Sequence, residues 1–173
     1  LWTRLAPSPL EPGGGLADAG VIPVSWELAS DERMRNVVRS GVEYATPQWA
    51  HSVHVEPTGL EAARDYWYRF TAGGLQSPIG CTRTAPRPDA AVARLKIAVA
   101  SCQQYEHGYF VAYRHMIEDT PDLVLHVGDY IYEATWGQNL MRSHNAPEAF
   151  TLDDYRVRHA LYRGEPELQA AHA

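Results

Sequence analysis

The chain has 173 residues, enough for one or two small domains, and its 45% hydrophobic and 21% charged composition is that of an ordinary globular protein. A formal net charge of −6 with no run of Lys or Arg argues against a nucleic-acid surface, and no apolar run approaches the roughly 18 residues that a membrane-spanning helix needs. Two cysteines, Cys81 and Cys102, are too few for a disulfide framework, and a bridge between them is possible but not implied.

Residues 1–85 follow β grammar. Leu1-Trp2-Thr3-Arg4-Leu5 reads as the inside of a strand rather than as a secretory leader. Val24, Trp26 and Leu28 alternate with Ser25 and Glu27, Val53 and Val55 with Ser52, His54 and Glu56, and Tyr66, Tyr68 and Phe70 with Asp65, Trp67 and Arg69. Each run predicts a strand with one apolar face. Gly73-Gly74 marks a turn, and Ile79 to Thr84 can return as the next strand. Short strands between turn signals suggest an antiparallel sandwich. The spacing of Leu60 and Tyr66 is similar to the tyrosine corner of fibronectin type III and immunoglobulin-like domains, in which the phenol ties a strand to the connection before it. The aromatic set is expected in the core, Cys81 as a small buried side chain of a strand, and His51 and His54 as parts of the sandwich.

Ala85-Pro-Arg-Pro-Asp-Ala90 breaks this pattern. Its two prolines fix an extended linker, taken as residues 86–94.

Residues 95–173 read differently. Leu95 to Ala100 and Leu123 to Val127 are short apolar runs, as expected of parallel strands covered on both faces. Between them a helix is expected near Tyr109 to Glu118, with Phe110, Tyr113 and Ile117 on one stripe and Thr120-Pro121 as the stop. The three form a βαβ unit with a right-handed crossover. Residues 134–149 look like a loop. Thr151, with Asp154 three residues on, predicts the cap of a helix through about Tyr162, and Pro166 the start of a short further helix. One βαβ unit leaves both faces and both edges of its sheet with too little cover, so this region is expected to be the front part of a larger α/β domain.

The chemistry lies where the two strands end. Cys102 follows the first, and Gly128-Asp129 and Tyr132 follow the second, at the carboxyl edge where open α/β sheets hold ligands. Hydrolysis of an anionic phosphate ester needs cations to receive the substrate and to lower the pKa of the attacking water, and a carboxylate such as Asp129 can bridge two of them. A thiolate, a carboxylate and a phenolate together favour a highly charged oxidised ion, Fe(III) by ligand type. Spacing alone leaves two readings open, three ligands of one centre or a packed Tyr132 beside an inert Cys102. His126 is expected to be a core histidine or a support to the ligands. His107 and His115 are expected to pack or face solvent, and Arg156, Arg158 and Arg163 to lie on an exposed helix face.

Ser101-Cys102-Gln103, Tyr105-Glu-His-Gly-Tyr-Phe110, Ala112-Tyr-Arg-His-Met116, Asp122-Leu-Val-Leu-His-Val-Gly-Asp-Tyr-Ile-Tyr-Glu133, Asp154-Tyr-Arg156 and Ala160-Leu-Tyr-Arg163 resemble the alkaline phosphatase D (PhoD-like) family, and Leu1 to Pro7 with the sandwich is similar to that family's N-terminal domain. The resemblance implies a mixed fold: an immunoglobulin- or fibronectin-III-like β-sandwich over 1–85, then from 95 to 173 the first βαβ unit of an αββα-type metallophosphoesterase domain, truncated. It implies that Cys102 and Tyr132 hold Fe(III) and that Asp129 bridges it to Ca(II). It further implies a phosphate-ester substrate, phosphodiesterase and phosphomonoesterase activity, and an extracellular, periplasmic or cell-wall setting reached by a twin-arginine signal, which these residues do not contain. The family's later histidine and acidic ligands are missing too, so the chain is expected to carry part of the site and to be inactive alone. The competing expectation is a noncatalytic β-sandwich binding or wall-associated module with a degenerate α/β remnant.

Overall fold

The computed structural model describes residues 1–16, 18–144 and 146–173. In chain order the regular elements are β1 (Trp2–Arg4), β2 (Ile22–Ala29), β3 (Val37–Ala45), β4 (Ser52–His54), β5 (Asp65–Ala72), β6 (Leu75–Gln76), β7 (Gly80–Arg83), β8 (Ile97–Ala100), α1 (Val111–Glu118), β9 (Leu123–His126), α2 (Leu152–Arg163) and α3 (Pro166–His172). They form a mixed α/β chain that divides into two compact units. The first takes in Leu1–Pro7 and Leu16–Val92, the second Ser8–Gly15 and Ala93–His172.

In the first unit a five-stranded antiparallel sheet runs β3-β2-β5-β6, with β7 also on β5, and β1 pairs antiparallel with β4. The alternation predicted for β2 and β5 is what turns their apolar side chains to one face: Val24 and Leu28 are fully buried, and Tyr66 and Phe70 nearly so. Val24, Ala45 and Phe70 of the sheet share one cluster with Val53 and Val55 around β4, and Leu1, Leu5, Ile22, Trp26, Tyr68 and Ala72 pack against it. The Glu61 amide donates to the Tyr66 hydroxyl at 2.9 Å, the strand-to-connection tie that the Leu60/Tyr66 spacing suggested. Gly73 and Gly74, both at positive φ, join β5 to β6 in a two-residue hairpin of the primed kind.

Strand β3 has no counterpart in the alternation pattern. Its Gly41 faces Trp26 in register, and a Cβ there would lie 2.9 Å from the indole, so the position must stay bare and the apolar rhythm is broken. Cys81 departs from expectation. It sits in β7 opposite Trp67, but is exposed, because β7 is an outer strand and turns Cys81 to the open face; both cysteines are free.

In the second unit β8 and β9 pair in parallel with Ala100 opposite His126, and α1 is the crossover between them. The strands are not covered on both faces as expected. Val99 and Val127 are each 66% exposed, and Ile97, Leu123 and Leu125 are open as well. Two strands and one crossover helix can shield only part of such a ribbon. The core of this unit lies elsewhere, in Phe110, Tyr113, Tyr162 and Leu168, with Ala100, Tyr105, Met116, Tyr130, Ile131 and Ala171 against it. The stripe of α1 therefore runs through Phe110, Tyr113 and Met116 rather than Ile117, which is exposed: Phe110 precedes the first helical residue, and the packed face turns with it. Thr151 caps α2 in a reciprocal box with Asp154, and α3 begins at Pro166, both where the sequence indicated.

Candidate metal centre

The two strand ends are laced together beyond the regular pairing. The Val127 amide donates to the Ala100 carbonyl at 2.9 Å, Cys102 to Gly128 at 3.2 Å and Gln103 to Asp129 at 3.2 Å. Gly128 has φ 129°, and Cys102 and Asp129 have φ 54° and 53°. Left-handed backbone costs a residue with a Cβ about 1 kcal/mol or more and persists where its surroundings impose it. These two strained residues are the ones whose side chains meet.

The Cys102 thiol donates to Asp129 Oδ2 at 3.4 Å, and the Tyr132 hydroxyl donates to the same oxygen at 3.1 Å. Cys102 and Asp129 are exposed and Tyr132 is half-buried, so the group is open to solvent. The Tyr132 phenol is pushed up to about 12, first by loss of hydration and then by its hydrogen bonds to Cys102 and Asp129 and the carboxylate's charge. Among the described residues no group of three or more His, Cys, Asp or Glu forms a metal cluster, and this trio differs by taking its third donor from a tyrosine.

Gln103 braces the first loop. Its Nε2 donates to the Tyr130 carbonyl at 2.8 Å, and the Tyr113 hydroxyl donates to its Oε1. Arg158 was expected on an exposed helix face but is 3% exposed. Its guanidinium is taken up by the carbonyls of Tyr132, Glu133 and Pro147 and by the His144 ring, and this full set of acceptors is what allows a cation inside. Tyr162, fully buried four residues on, offers its hydroxyl to the same region. In the sequence Arg158 reads as an exposed helix cation and Tyr162 belongs to a segment that carries the family resemblance; their spacing puts both on one helix face.

His126 packs its ring 5.0 Å from that of Tyr130, and desolvation lowers its pKa against the pull of Asp129. His107 Nε2 is 2.9 Å from the Trp136 carbonyl, and His115 pairs with Glu118. His51 is buried in the first unit beside the Gly20 carbonyl. Arg156 pairs with Asp153.

Two family descriptions match the chain, PhoD-like phosphatase, N-terminal domain, over residues 1–86, and PhoD-like phosphatase over residues 97–173. The chain is 54% identical to alkaline phosphatase D of Bacillus subtilis (strain 168) over 180 residues, an alignment that takes in 100% of this chain and 30% of that protein. The solved structure of PhoD superposes with a TM-score of 0.94 at 52% identity, covering 99% of this chain and 34% of that one. The chain thus spans about a third of the length of the relatives it matches.

Proposed function

Because this chain belongs to the PhoD-like phosphatase family, we propose that it supplies the first part of the active centre of a metal-dependent phosphoesterase, an exported hydrolase of phosphodiesters and some phosphomonoesters. The observation that carries the reading is the convergence of thiol and phenol on Asp129 Oδ2.

The donor set fits a metal. One soft sulfur and two hard oxygens meet from adjacent strand ends, and proton-bearing contacts now hold together groups that would all be anionic as ligands. Cys102 and Tyr132 would hold Fe(III), and Asp129 would serve both it and Ca(II). Calcium takes six to eight oxygens, so its site draws on ligands beyond these three. Bound there, the cations supply Lewis acidity to phosphate oxygens and lower the pKa of an attacking water.

The chain's own residues have defined parts in this. Asp129 fixes the spacing of the other two, since both now point at one of its oxygens. Tyr132 must give up a proton held to about 12, which ties cation capture to proton release and makes it weaker as pH falls. The backbone bonds between Cys102–Gln103 and Gly128–Asp129 keep the two loops at one level. For the first unit we propose the immunoglobulin-like sandwich of the family's N-terminal domain, supported by the Tyr66–Glu61 tie and the shared cluster of its two sheets. Complete turnover is assigned to the longer protein of which the relatives are examples, and this chain alone is expected to be inactive.

The test uses the protein extended to the length of its relatives. Bis(4-nitrophenyl) phosphate should be hydrolysed, with Cys102→Ala and Asp129→Asn each losing metal and about a hundredfold or more in rate. An unchanged rate in both variants, or full activity after complete metal removal, contradicts the proposal.

A further inference from the structure

We infer that Arg158 and Tyr162 of α2 are positioning residues that set Tyr132 at the candidate metal centre; this rests on the proposed reading that Cys102, Asp129 and Tyr132 ligate a cation. Tyr132 is gripped on both sides of its α-carbon. Its N–H donates to the Tyr162 hydroxyl at 3.3 Å, and its carbonyl accepts from Arg158 Nη1 at 2.7 Å. The same Nη1 donates to the Glu133 carbonyl at 2.8 Å, and Nη2 to that of Pro147 at 2.9 Å. A planar guanidinium can hold several carbonyls in a fixed fork, which the single ammonium of a lysine cannot.

Tyr162 links the two ligand-bearing loops. Its hydroxyl accepts from the Tyr105 amide at 3.2 Å and donates to Gln104 Oε1 at 3.0 Å, in the loop that begins at Cys102, while also holding the Tyr132 amide. One buried oxygen thus gauges the Cys102 loop against the Tyr132 loop. His144 closes the circuit. Its Nδ1 lies 3.1 Å from Arg158 Nη1 and its Nε2 3.0 Å from the Tyr162 hydroxyl. Burial, and then the charge of Arg158, lower the pKa of this imidazole. Glu106, fully buried, accepts the His144 amide at 3.0 Å, and its second carboxylate oxygen lies 3.5 Å from His144 Nδ1.

A buried guanidinium is costly unless every contact is made, and packing of α2 alone would be met by an apolar side chain. What the arginine adds is a defined course for a loop with no regular structure of its own, directly behind the phenol. Neither residue touches the ligand atoms.

The test adds Fe(III) as its nitrilotriacetate to the folded chain and reads two quantities: iron retained after desalting, and the visible absorption that marks phenolate bound to iron. Tyr132→Phe identifies the band. In Tyr162→Phe and Arg158→Lys the band should weaken and iron affinity fall about tenfold or more, while far-ultraviolet circular dichroism stays that of the wild type. Thr151→Ala, which weakens the cap of α2 without touching Tyr132 or its two partners, should keep both. Equal band and affinity in all folded variants overturns the inference, as does an equal loss in Thr151→Ala or a failure of both Tyr162→Phe and Arg158→Lys to fold, any of which makes the network a stability element only. Wild-type protein that retains no iron and shows no band, also when extended to the length of its relatives, instead removes the metal-centre reading itself.

Discussion

The two units use their apolar strands in opposite ways. In the first, strand side chains are the core: Val24, Phe70 and Val53 are sealed against one another. In the second, the strands are half open, and the sealed parts are a set of aromatic side chains and a polar network of Glu106, His144, Arg158 and Tyr162 behind the strand ends. The first unit is built to be closed. The second places its most ordered interior directly under the three side chains we propose as ligands, which is where precision matters for a metal.

Substitutions can break this contrast. Phe70→Ala should cost the first unit about 3–5 kcal/mol, because an aromatic ring leaves a cavity in a closed core, and the denaturant midpoint reads it. Arg158→Met should cost the second about 3 kcal/mol, through three part-buried carbonyls left without their donor; a loss under about 1 kcal/mol would mean that the loop finds other partners. Thr151→Ala should cost about 1 kcal/mol by removing one half of the capping box.

Valine to threonine separates the two kinds of strand. Val53→Thr, in the sealed cluster, should cost about 1–3 kcal/mol for an unpaired buried hydroxyl, whereas Val99→Thr should stay within about 0.5 kcal/mol because that side chain already meets water. Equal costs at the two positions would erase the distinction. Tyr132 is tested by titration. A folded-state pKa raised from 10 to about 12 means that its neutral-phenol bonds stabilise fully below pH about 10 and are lost as pH rises through about 12. Tyrosine ring carbon-13 NMR at pH about 10.5 should show Tyr132 still protonated when an unperturbed phenol is mostly ionised, and Asp129→Asn should bring it back toward 10.

The sequence was legible where a short-range pattern carries the structure. Alternation gave β2 and β5, Thr151 and Asp154 gave the start of α2, and the placement of Cys102, Asp129 and Tyr132 after two apolar runs pointed to one sheet edge, where their side chains do meet. It was silent where the cause is distant. Gly41 is explained only by the indole of a neighbouring strand. Arg158 reads as a solvated helix cation until the carbonyls of residues 132, 133 and 147 close around it. Burial of Cys81 and double cover of β8 and β9 were inferred from apolar character, but exposure depends on which neighbours a strand has, and an outer strand or a two-stranded ribbon has few.

The most direct measurement is an anomalous-scattering map at the iron edge, from crystals of the chain grown with Fe(III). The account predicts one strong peak within about 2.5 Å of Cys102 Sγ, Asp129 Oδ2 and the Tyr132 phenolic oxygen. A map with iron bound elsewhere, and the thiol and phenol still hydrogen-bonded to a bare Asp129, would contradict it.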